Sequence, residues 1–126
     1  MIKITPNPTY STPVTVELPG DNGRVEKVVF TAVFRRLTIS EIEDIHKRLA
    51  GPTVDADGTA DTTVATLNDD ELVRDVMVGW KDVQGDDGQQ LEFNDANLTA
   101  LLQIFPVRPT LVRKFFETIS NARAKN

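Results

Sequence analysis

The residues best suited by type to chemistry are few, and each set fails the spacing that its chemistry needs. Asp55-Ala56-Asp57-Gly58-Thr59-Ala60-Asp61 opens like a calcium-binding loop. An EF-hand loop requires glycine at its sixth position and a bidentate glutamate at its twelfth. Counted from Asp55, glycine falls fourth and the twelfth residue is Thr66, so the stretch reads as a flexible acidic loop. Asp69, Asp70 and Glu71 gather three carboxylates, the raw material of general acid–base catalysis. They also follow Asn68 and precede an apolar run, where acids cap a helix and complement its dipole. Asp86-Asp87-Gly88 is turn-forming rather than ligating. His46 is the only histidine and there is no cysteine, so neither a base–nucleophile pair nor a thiolate metal site can be assembled. Phosphate-binding glycine motifs, a nucleophile elbow and HExxH are all missing. These patterns imply a binding protein, not an enzyme, with no cofactor and no metal.

Length and charge narrow the class of partner. The chain has 126 residues, 40% of them hydrophobic and 26% charged, which suits one domain with one core. It lacks a long apolar run and a signal-like start, which implies no membrane partner and fits a reducing cytoplasm. The net charge of −5 is unevenly placed: residues 1–50 carry +1, 51–95 carry −10 and 96–126 carry +4. The acidic middle repels phosphate, which argues against nucleic acid. The basic end suits an acidic protein partner, although solvated helix faces can also draw charge in blocks.

The elements that would position a binding surface follow from periodicity. Thr5 to Pro13 holds three prolines in nine residues and reads as an extended arm, 1–12. Alternating Val14, Val16 and Leu18, a turn at 19–23 and a Val- and Phe-rich return predict a β-hairpin over 13–19 and 24–35. Val28, Phe30, Ala32 and Phe34 share one face of the return strand; Val29, Thr31 and Val33 share the other. Capping-box signals at Thr38–Glu41 and Ser40–Glu43 open a helix over 39–50, with Ile39, Ile42, Ile45 and Leu49 on its apolar face. Residues 51–67 lack periodicity and are expected to form a mobile acidic loop. Further helices are predicted near 69–80, with Trp80 buried on the apolar face, near 95–105, with Leu98, Leu101, Leu102 and Phe105 inward, and near 109–124. The expected class is α+β: an N-terminal β-hairpin packed against a bundle of about four helices, in a single domain over 1–126.

Two surfaces are candidates for partners. A hairpin with helices on one side should be polar outside, yet its outer face carries Val29 and Val33. Either another part of the chain covers them or another molecule does, and a homo-oligomer is the expected form of the second case. In the last helix, Leu111, Phe115 and Ile119 make a stripe beside Val112 and Phe116. Either all five close the core, or Phe115 or Phe116 is left for a partner, with Arg113 and Lys114 flanking it for acidic side chains.

Three stretches in order carry a resemblance. Met1-Ile2-Lys3-Ile4-Thr5-Pro6-Asn7-Pro8 leads into the hairpin. Val78-Gly79-Trp80-Lys81-Asp82-Val83 is followed by a Gly-Asp-Asp-Gly turn and Leu91-Glu92-Phe93-Asn94. Leu98 to Phe105-Pro106 is followed by a terminal helix ending in Ala122-Arg123-Ala124-Lys125-Asn126. This order resembles the tail assembly chaperones of long-tailed bacteriophages and prophages, over most of the chain outside 51–67. Val107-Arg108-Pro109 departs from the small residues that often follow the Phe-Pro pair in that family. The resemblance implies a chaperone in the bacterial host cytoplasm that coats the tape measure protein, helps recruit tail tube subunits and is absent from the mature virion. It also implies a longer frameshifted product, which codons for Lys125-Asn126 would permit. Two other readings stand beside it: a structural tail or head-completion protein retained in the particle, and a small regulatory binder of a host protein.

Overall fold

The structure, a computed structural model, describes residues 2–50, 58 and 67–124. Strands β1 (Thr9–Pro19) and β2 (Val25–Arg35) form the expected hairpin. Their turn at Asp21–Gly23 uses left-handed backbone at Asn22 (φ 57°) and Gly23 (φ 74°), a conformation that asparagine and glycine tolerate best. β1 begins four residues earlier than predicted, so the free arm ends before Thr9. The prolines do not prevent this, because β1 is an edge strand: Pro13 sits opposite Thr31, and an edge strand can spare a donor on its open side. Alternation then sorts the side chains. Thr12, Val14 and Val16 on β1 and Phe30, Ala32 and Phe34 on β2 are buried on the inner face, while Ser11, Pro13, Thr15 and Val29 are exposed outside.

Helix α1 (Ile39–Ala50) starts with the predicted capping box. Thr38 Oγ1 accepts from the Glu41 N–H at 3.2 Å, and Glu41 Oε1 accepts from the Thr38 N–H at 3.0 Å. Arg35 pins this end to the body: Nη1 lies 2.8 Å from Glu41 Oε2, Nη2 lies 3.0 Å from Asp75 Oδ2, and Nε donates to the Asp75 carbonyl at 2.7 Å. The predicted loop over 51–67 lies outside the described residues except at Gly58 and Leu67. Its last residue does not fit a mobile loop: Leu67 is in the core, and its N–H donates to the Arg48 carbonyl at 3.2 Å.

The predicted helix over 69–80 is a helix followed by a strand. Helix α2 (Asp69–Val76) ends where strand β3 (Met77–Lys81) begins, and β3 pairs antiparallel with β2 to complete a three-stranded sheet in the order β1-β2-β3. The spacing of Val73, Val76, Met77 and Trp80 mimics one helical face. A register shift in the pairing between Val33 and Phe34 explains it. Met77 pairs with Phe34 and Trp80 with Ala32, so this irregularity puts two side chains three positions apart on the same, buried, face of a strand. Trp80 is buried as predicted, edge-on to Phe93 with ring centroids 5.0 Å apart, and its Nε1 donates to the Leu91 carbonyl at 2.9 Å.

Of the three acids that open α2, Asp70 and Glu71 have structural partners, Glu71 Oε1 accepting from Asn68 Nδ2 at 2.7 Å. Asn68 caps the helix by accepting from the Glu71 N–H at 2.8 Å, and Asp70 pairs with Arg74 at 2.8 Å. Arg74 reaches on to Asp95, at 2.6 Å, and to Thr99 in helix α3 (Asp95–Leu102). α3 stops short of the prediction. Phe105 lies beyond its end and is 73% exposed rather than packed on its inner face. Helix α4 (Val107–Ala124) starts two residues early, which leaves Pro109 in the first turn, where no intrahelical donor is required. α4 lies against β1, α2 and α3, and its Phe115 ring meets Phe34 at 5.4 Å. The α+β class and the N-terminal hairpin are therefore present, with the hairpin enlarged to a three-stranded sheet.

Candidate partner-binding groove

The predicted binding residues fall on opposite sides of the sheet. Val29 is 59% exposed on the outer face, and Val33 is half-buried there because Gly79 of β3 lies beside it. Nothing among the described residues covers Val29. The α4 residues lie on the inner side and split further. Leu111 and Phe115 are fully buried members of the core. Phe116 and Ile119 are half-buried, and Arg113 is exposed. Lys114 turns to Glu117, 3.7 Å away on the same helix.

Ile119, with Phe115 and Thr118, forms the α4 wall of a groove of about 670 Å³, which Phe116 does not line. α1 supplies the opposite wall with Ile39 and Ile42, and Tyr10 and Leu37 close one end. The Phe115 ring lies at the floor, and Ile119 reaches in from α4. The groove exists because α1 buries only half of its apolar face. Ile45 is in the core and Leu49 packs against it, while Ile42 is half-buried and Ile39 is 77% exposed. His46 lies beside Phe116 with ring centroids 5.6 Å apart, where α1 comes nearest to that face of α4. All four apolar residues of α1 share one helical face, so sequence spacing alone cannot separate the two that the core uses from the two that it leaves. Tyr10 was equally hidden, because it lies in the proline-rich segment read as an arm.

The rim is polar. Arg36 stacks its guanidinium 5.4 Å from the Tyr10 ring centroid, and Glu43 and His46 stand on α1. The Thr38 N–H, and after it the Arg35 guanidinium, hold the Glu41 carboxyl below its ordinary range at the start of the α1 wall. A concave apolar surface with a few charges on its rim suits an apolar segment of another chain, laid in by its side chains. Among the described residues no three metal-binding side chains gather. A second, smaller apolar feature is the corner between α3 and α4, where Ile104 and Phe105 are 46% and 73% exposed beside Arg108.

No helix among the described residues is long and apolar enough to cross a membrane. Comparison with curated proteins and with solved structures finds no match. A family model described as phage tail assembly chaperone matches residues 1–126, the whole chain, in agreement with the resemblance read from the ordered motifs. The protein belongs to the phage tail assembly chaperone family.

Proposed function

We propose that the protein binds the tape measure protein of a long-tailed phage in the host cytoplasm, keeps it soluble while tail tube subunits are recruited, and leaves before the virion is complete. The α1–α4 groove supports this reading most directly. A tape measure protein is expected to be a long amphipathic helix whose apolar stripe aggregates in water. Ile39, Ile42 and Ile119 offer apolar surface of modest size, which suits many weak contacts that add up along the helix and can later let go. This role needs no catalysis and no cofactor. The groove isoleucines carry the contact, with half-buried Phe116 outside the groove beside His46, and with Arg113 and Lys114 on the same helix for acidic side chains of the client. Phe115 and Leu111 support the floor from within the core.

Copies of the chaperone associate through the outer sheet face, where Val29 lies exposed beside half-buried Val33. Lysine at both positions should remove that contact, so that the folded protein sediments as a smaller species than wild type. The client contact is tested by co-purification. Tape measure protein should be retained by the wild-type chain and lost with Ile39→Glu and Ile119→Glu, at unchanged helical content. Mass spectrometry of purified virions should lack this chain. Its presence in stoichiometric amounts would favour a structural tail or head-completion protein instead.

A further inference from the structure

Ile2 and Ile4 are 92% and 99% exposed, a costly placement for two large aliphatic side chains. They lie on the arm ahead of β1, whose root is fixed. The Arg36 N–H donates to the Pro8 carbonyl at 2.8 Å, and Arg36 Nε donates to the Asn7 carbonyl at 2.8 Å. Thr5 and Asn7 each precede a proline, which disfavours helical backbone at both, and the chain bends at Ile4, Thr5 and Pro8. The arm is thus held at Asn7 and Pro8, where it leaves the body. Although that root lies beside Tyr10 and Arg36 of its own groove, the arm leaves that groove with Ile2 and Ile4 outside it.

We propose that the arm of one copy lies in the α1–α4 groove of a second copy. In extended backbone Ile2 and Ile4 project to one side and Lys3 to the other. Laid in the groove, the two isoleucines meet Ile42 and Ile119 above the Phe115 floor, and Lys3 turns to the rim at Glu43. Among the described residues neither Lys3 nor Glu43 has an ion-pair partner within its own chain. The free part of the arm, residues 2–6, spans about 13 Å when extended, against the roughly 11 Å between Ile39 and His46 along α1, so it can line the whole groove. The arm covers apolar surface that would otherwise face water while no client is bound. Its displacement by client rests on the proposed function, whereas the docking itself does not.

Sedimentation of the full chain carrying Val29→Lys and Val33→Lys isolates this contact from the sheet face. That chain should still self-associate with rising concentration. Adding Ile2→Ser and Ile4→Ser, both at exposed positions outside the core, should weaken association at least tenfold without changing the thermal melt. Adding Ile39→Lys and Glu43→Lys instead, which alters an exposed residue of the groove wall and one of its rim, should do the same. The two variants mixed should associate with each other, since one keeps the groove and the other keeps the arm. Monomeric behaviour of the starting chain at every concentration, unchanged association of the arm variant, or failure of the mixture to associate would each overturn the proposal. Loss of tape measure binding in a chain that still associates in this way would count against the proposed function and not against the arm.

Discussion

Tyr10 Oη and Thr118 Oγ1 lie 2.9 Å apart, which joins the first strand to the last helix across 108 positions of sequence. Thr118 Oγ1 donates to the Phe115 carbonyl at 2.6 Å, so its lone pairs are free to accept from the tyrosine hydroxyl. The Tyr10 ring meets Phe34 at 5.9 Å. The pair therefore fixes the closed end of the groove. Tyr10→Phe should cost about 0.5–1.5 kcal/mol in urea denaturation, the net worth of one such hydrogen bond. Tyr10→Ala should cost more, because the ring contact with Phe34 goes too.

Trp80 anchors the other end of the core. It is buried against Phe93, with its indole N–H satisfied by Leu91. Trp80→Ala should cost about 3–5 kcal/mol. A loss under about 1 kcal/mol would show that the β3 register does not depend on it.

Gly79 faces outward beside Val33, and a Cβ placed there would meet Val33 Cβ at 3.5 Å and Cγ2 at 3.7 Å, ordinary packing distances. Glycine within a strand costs conformational entropy without adding contact. Gly79→Ala should therefore leave the fold intact and raise stability by up to about 0.5–1 kcal/mol, measured by thermal melting.

The attachment of α1 should be acid-sensitive. Glu41 accepts from the Thr38 N–H and pairs with Arg35, and both interactions favour its charged form, lowering its pKa from the ordinary 4.5. A lowered carboxyl pKa contributes stability above the unfolded value, and that contribution is lost as pH falls through the folded value. Amide exchange in the first turn of α1 should accelerate below about pH 4.5, and Glu41→Gln should remove that component of the pH dependence. Identical profiles for the two chains would contradict the assignment.

Local signals carried the hairpin, the bounds of α1 and the caps at Thr38, Asn68 and Asn94, because each depends on residues within one turn of one another. Strand β3 was not legible. The register irregularity beside Phe34 places Met77 and Trp80 on the same face, which imitates helical spacing, and the cross-strand pairing that causes it is set by residues more than forty positions away. Val78 and Gly79, both poor helix formers, were the signal that helix stops at Val76. The groove was half legible. The stripe on α4 was read from sequence, but the opposite wall depends on α1 sinking Ile45 and not Ile39, a matter of how a helix is docked rather than how it is spaced.

The central claim is that this chain keeps a tape measure protein in solution through the α1–α4 groove. The direct measurement is the soluble fraction of that tape measure protein expressed with the wild-type chain, with Ile39→Glu and Ile119→Glu, and alone. The account predicts soluble tape measure protein in the first case and aggregate in the other two. A tape measure protein that stays equally soluble without this chain would contradict it.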